Sequence, residues 1–138
     1  MTEHLKLVLS SRLDEVRRAE DAVIAAAESM GFVGPDQFAI RLALEEALAN
    51  AIKHGNQCDP EKNVTLECNA HPDRIIITVA DEGPGFTPDT LPDPTAIENL
   101  EKPFGRGVML MRAYMSEVTY NDSGNAVTMV RLKQEAET

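Results

Sequence analysis

Two short stretches, "NVTLECNA" at residues 63–70 and "RIIITVA" at residues 74–80, constrain this chain more than any other feature. Both alternate in the way of strands with a buried face. Only "HPD" separates them, a turn signal, so the pair reads as a hairpin. The second strand then runs without a spacer into "DEGPGF", residues 81–86. An acidic residue, two glycines and a proline are more than a tight turn needs. The alternative is that something flat and polar must come close to the backbone there.

The remaining elements fall around that hairpin. "HLKLVLS" alternates Leu5, Leu7 and Leu9 against His4, Lys6 and Val8, a first strand. Ser11 and Asp14 form an S-x-x-D start signal. Leu13, Val16, Ala19, Val23, Ala27 and Met30 then recur at helical spacing up to Gly31, which suits a C-cap. The simplest use of this helix is to pack its apolar side on a sheet. "VGPDQFAIRLALEEALANAIKHGN" is the strongest helix, with Pro35 in its first turn, Asp36 and Gln37 at its positive end, and Gly55 ending it. Pro88, Pro92, Pro94 and Pro103 keep "GFTPDTLPDPTAIENLEKPFG" from being one regular element. It reads as a long loop, a functional lid or a disordered stretch, with room for a short helical turn around Ala96 to Leu100. "RGVMLMRAYM" is helical again, opening at Gly105, and "EVTYND", the turn "SGN" and "AVTMVRLK" make a second hairpin. Hairpins plus separate helices predict an α+β fold, with helices on one face of a mostly antiparallel sheet.

Bulk properties exclude several classes. At 138 residues the chain reads as one domain, able to bury roughly two-thirds of its unfolded surface. No apolar run approaches the roughly twenty residues that cross a bilayer, and the N-terminus lacks a secretory pattern, so the expectation is a cytoplasmic protein with no membrane partner. A net charge of −10 without a basic stripe argues against nucleic acid. Cys58 and Cys68 have no His or Cys spaced to complete a metal site, and Cys68 alternates with Val64 and Leu66 as a small core residue.

Three clusters carry chemistry. Glu46 and Asn50, four apart on the second helix, project a carboxylate and a carboxamide from one face among small alanines. Asp81, Gly83 and Gly85 end a strand where the carboxylate can accept a hydrogen bond from an exocyclic amino group and the glycines let a ring lie on bare backbone. Gly105, Arg106 and Gly107 open a helix, where free N–H groups, the helix dipole and a guanidinium suit an anion. Taken singly, the first two are better explained by an ordinary polar pair and a turn, and the third is served as well by a hinge with a surface Arg. In sequence order they supply what a nucleotide site needs: metal, base, cover and phosphates.

With those residues in view, the chain resembles the GHKL ATPase superfamily. "EALANAIKHG" is similar to its N-box, "DEGPG" to its G1 box and "GRGVMLM" to its G2 box. Length and "LEEALANAIKHGN" most resemble the bacterial anti-sigma factor serine/threonine-protein kinases. The resemblance implies a two-layer α/β sandwich of the Bergerat type, with a mostly antiparallel mixed sheet and the ATP lid at about residues 86–104. It implies ATP and Mg²⁺ as ligands. Asn50 would ligate the Mg²⁺, Glu46 would act as general base, and Asp81 would bond the adenine amino group. Gly83 and Gly85 would line the base pocket, and Gly105, Arg106 and Gly107 would meet the phosphates. Thr128 matches a late threonine that the family places beside the adenine, although the family's usual preceding Gly is Val127 here.

The same resemblance implies the activity and partners. The expected protein is a serine/threonine kinase that sequesters a sigma factor and phosphorylates a serine on a small STAS-type anti-sigma antagonist. A homodimer is an implied assembly, with the first strand and helix as candidate surface. His4, His54 and His71 do not lie in a phosphoaccepting helix, which argues against a histidine kinase acting on itself. A non-catalytic ATP-binding partner switch, and an ATPase domain acting in trans on a histidine acceptor, remain the alternatives.

Overall fold

The computed structural model describes residues 2–83 and 111–133. Strands β1 (Glu3–Ser10), β2 (Asn63–Ala70), β3 (Arg74–Ala80), β4 (Glu117–Tyr120) and β5 (Ala126–Leu132) form one sheet in the order β1-β2-β3-β5-β4. Expected to be mostly antiparallel, the sheet is antiparallel at every pairing among the described residues. Register places Leu7 opposite Leu66, Leu66 opposite Val79, and Val79 opposite Val127. One apolar line therefore crosses the face that the helices cover. The other face carries Thr78 opposite Thr128.

Helix α1 (Val16–Ser29) buries Val16, Ala19, Val23, Ile24, Ala26 and Ala27, so its apolar stripe packs into the core as expected. Leu13 departs from that stripe: it lies in the 3-10 turn Leu13–Glu15 and is 49% exposed. The S-x-x-D signal also has a different use. Neither helical N-cap here receives a side-chain hydrogen bond. Ser11 is buried and donates to the Lys62 carbonyl at 2.6 Å, a tertiary bond that outcompetes the local cap. The C-terminus follows expectation. Gly31 takes φ +87°, its N–H bonds the Glu28 carbonyl, and the Phe32 N–H bonds the Ala27 carbonyl, the two bonds of a Schellman cap. Phe32 then enters the core.

Helix α2 (Gly34–Asn50) is the central element, sending Ile40, Leu44 and Leu48 into a single apolar cluster with Leu66, Ile77 and Met129 of the sheet. Asp36 in its first turn suits the helix dipole. It is also only 1% exposed, because Arg131 on β5 pairs with it at 2.9 Å. The last turn before Gly55 is not α-helical: Ala51–Gly55 widens into a π-helix, closed by the Asn56 N–H on the Ala51 carbonyl at 2.8 Å. Such turns re-aim side chains and recur at functional sites. Residues 111–114 are helical, with Met111 buried. The start of that helix at Gly105 and the lid, residues 86–104, lie outside the described residues. Among the described residues no helix is long and apolar enough to cross a membrane.

Candidate functional site

A cavity of about 220 Å³ lies where the end of α2 meets the end of β3 and the β4–β5 hairpin. Ala47, Asn50, Ala51 and His54 form its helical wall, the i, i+3, i+4, i+7 spacing of one face. Val79 and Asp81 come from β3, and Tyr120 with residues 124–127 from the hairpin. This is smaller than the roughly 300–1,000 Å³ of a drug-sized site. It suits one planar ring in an apolar slot with few polar contacts. The alanines keep the helical wall low, which is what their run in α2 predicts.

Asp81 is the acidic group of the slot. Burial raises its carboxyl above the ordinary range, against the Gly83 N–H, which donates to Oδ1 at 2.8 Å, and the Lys62 charge. Its own N–H bonds the Asn125 carbonyl at 2.8 Å, which ties the end of β3 to the hairpin. The close backbone approach that "DEGPGF" demands is present, and the α2 end makes it. A Cβ on Gly83 would stand 1.9 Å from the Gly55 carbonyl oxygen, and one on Gly55 would stand 2.3 Å from the Asp81 carboxyl. Gly83 therefore backs Asp81 and is not part of the cavity wall.

Asn50 enters the cavity from α2, at the junction with the π turn. Its Nδ2 is buried without a hydrogen-bond partner among the described residues. An orphaned buried donor costs about 1–3 kcal/mol, so Nδ2 is prepared for an acceptor that a ligand brings. Glu46, one turn earlier and half-buried, stands outside the cavity wall. Burial and the neighbouring Glu45 push its carboxyl up, and Lys53 partly opposes them.

Thr128 is not brought to the cavity. Its hydroxyl lies 3.1 Å from that of Thr78 on the uncovered sheet face, and the wall at that height is Val127. A one-residue step along a strand reverses the side chain, which is how a motif match lands on the neighbour. Gly85, Gly105, Arg106 and Gly107 lie outside the described residues.

Sequence reasoning missed the hairpin's share of the site. Tyr120 reaches the cavity with its phenol pushed up to about 12 by burial, Arg112 opposing and Asp81 adding to the rise. Asn121 accepts from the N–H groups of Asn125 and Ala126 and folds the "SGN" turn back toward Asp81. Those residues carried only a turn signal. His54 is another wall residue that spacing alone could have found, four after Asn50.

The donors present fit an ATP–Mg²⁺ pair. No group of three His, Cys, Asp or Glu among the described residues could hold a metal alone. Mg²⁺ is usually held by one or two protein oxygens with the rest from phosphate and water; Asn50 Oδ1 is an oxygen of that kind, and the unpartnered Nδ2 is a donor that suits a phosphate oxygen.

Sheet order, covering helices and the acidic slot define a two-layer α+β domain with a base-sized site between helix end and sheet. A family model described as "Histidine kinase-like ATPase domain" matches residues 9–131. The chain belongs to that family. It is 33% identical over 102 residues to an anti-sigma F factor of Clostridium perfringens, covering 72% of each. It is 25% identical over 139 residues to the serine-protein kinase RsbW of Bacillus mycoides, covering 96% of this chain and 86% of that one. RsbW of Bacillus subtilis is 31% identical over 114 residues, covering 76% of this chain and 70% of that one. Among solved structures, the RsbU and RsbW domains of Rv1364c from Mycobacterium tuberculosis share the fold, with a TM-score of 0.63 at 18% identity. That match covers 97% of this chain and 34% of the longer one.

Proposed function

We propose that the chain is a Mg-ATP-dependent serine/threonine-protein kinase of the anti-sigma regulator type. The observation that carries this is Asn50, with its buried unpartnered Nδ2 donor, lining the same base-sized cavity as Asp81. In this reading the Asp81 carboxyl group accepts the adenine amino hydrogen, and Ala47, Val79 and Val127 hold the ring. Asn50 would hold Mg²⁺, which when bound neutralises phosphate charge. Glu46 takes the proton of the attacking serine hydroxyl, and its raised carboxyl suits a base working nearer neutrality. The products are phosphoserine and ADP. Gly85 completes the base pocket, Gly105, Arg106 and Gly107 receive the phosphates, and residues 86–104 close over them. Thr128 supports the slot from behind through Thr78.

The relatives' names support a partner-switching role. The proposed partners are a sigma factor, held by the kinase, and a STAS-type antagonist carrying the acceptor serine. β1 is a sheet edge with Val8 exposed, which leaves it available for a homodimer.

The test is transfer of γ-labelled phosphate from ATP into proteins of a lysate of the source cells, with wild type beside Glu46→Gln. The expected result is an acid-stable labelled band of small mass, lost in the variant. An acid-labile band would point to a histidine acceptor. No band with ATP binding retained would point to a non-catalytic partner switch.

A further inference from the structure

Asn56 is fully buried and makes three side-chain hydrogen bonds. Nδ2 donates to Ser11 Oγ at 2.9 Å and to the Asn63 carbonyl at 3.0 Å, and Oδ1 accepts from the Glu82 N–H at 2.8 Å. Its backbone N–H closes the π turn on Ala51. The Asn63 N–H in turn bonds the Glu82 carboxylate. Asn56, Asn63 and Glu82 thus form a closed ring of hydrogen bonds that joins the α2 end and the start of β2 to the turn after β3.

From this ring we infer that Asn56 is a positioning residue that sets the Asp81 carboxylate for base selection. The inference rests on the nucleotide reading of the cavity. The Gly83 N–H donates to Asp81 Oδ1, and among the described residues residue 82 between them is held by Asn56 through the backbone and by Asn63 through its side chain. Gly83 meanwhile rests directly on Gly55, the residue before Asn56. The same few atoms therefore fix the carboxylate that reads the base and the helix end that carries Asn50. Two of the amide's bonds face the frame, at Ser11 and Asn63, and one faces the site, at Glu82. This asymmetry makes a positional role separable from a merely stabilising one.

The experiment compares wild type, Asn56→Ala and Ser11→Ala for affinity toward ATP and GTP and for melting temperature, on the full chain. Asn56→Ala is expected to lower the ratio of ATP to GTP affinity by at least about tenfold, the scale on which small misplacements of a binding group act. Ser11→Ala, which cuts only the frame side, is expected to lower the melting temperature and leave the ratio unchanged. A folded Asn56→Ala with the wild-type ratio overturns the inference, as does a Ser11→Ala that loses selectivity equally. Amide hydrogen exchange in ligand-free wild type needs no variant. The Glu82 amide should be as protected as those of β3, and fast exchange there overturns the inference. A wild type that binds ATP and GTP equally overturns the nucleotide reading itself, and this inference with it.

Discussion

Glu46 and Asp81 are carboxyl groups that the fold holds above their ordinary range, chiefly by burial. For Glu46 the consequences for rate and stability run in opposite directions. A general base must be ionised, so phosphotransfer should rise with pH through a Glu46 pKa above the ordinary 4.5. A raised carboxyl pKa means the native state favours the neutral form. Its stability contribution is complete below the unfolded pKa and is lost as pH rises through the folded one. Glu46→Gln should therefore be inactive yet melt higher than wild type near neutral pH, with the advantage shrinking toward pH 4. Melting curves across pH check this, and a variant less stable than wild type at pH 7 would contradict it. For Asp81 the readout is the base: Asp81→Ala should weaken ATP binding roughly 10- to 100-fold, the value of one hydrogen bond to a charged group, while leaving GTP binding unchanged. At this scale the site was legible where a residue's chemistry is rare for its position, as at Asp81 and Asn50. It was illegible where a one-residue step along a strand decides which face a side chain takes, as at Thr128 and Val127. Ser11 misled for a related reason, because a hydroxyl serves a local cap or a distant carbonyl equally well.

Between elements, the join that spacing could not reveal is the ion pair of Asp36 and Arg131. Arg131 donates from Nε to Asp36 Oδ1 at 3.0 Å and from Nη1 to the Tyr114 carbonyl at 2.6 Å. One guanidinium thus binds the first turn of α2, strand β5 and the end of the helix at residues 111–114. Asp36 read as a dipole partner only, since its cation is distant in sequence. Removing one member of a buried pair leaves the other charge stranded, at a cost of about 3–5 kcal/mol. Arg131→Met should lose about that much in urea unfolding, and the double variant Asp36→Leu/Arg131→Met should recover a substantial part. A single variant costing under about 1 kcal/mol would show the pair to be screened like a surface one. The strands and helices themselves were readable because alternation and the Gly31 and Gly55 stops are local signals. The π turn was not, since its ring depends on where Asn56 is held.

At the scale of the molecule, the described residues share one apolar cluster, running from Val16 and Leu9 through α2 to Met129 and Met115. Every described helix and strand contributes to it or packs against it. Nothing in that arrangement lets one layer melt while the other persists, so unfolding should be a single cooperative transition. The cavity lies across the seam between the layers, with Ala47 and Asn50 from the helix and Val79 and Asp81 from the sheet. A ligand that spans the seam binds the native state and not the separated layers. Mg-ATP at a hundred times its dissociation constant should therefore add about 2.7 kcal/mol to the whole transition, a rise of roughly 10 °C for a chain of this size. Without Mg²⁺ the rise should be smaller, because a protein of net charge −10 repels a bare triphosphate. Asn50→Ala should remove most of that Mg²⁺ dependence while keeping the part contributed by the base. Calorimetry with and without nucleotide decides it. Two separate transitions, only one of them moved by Mg-ATP, would mean that helix layer and sheet do not fold as one unit.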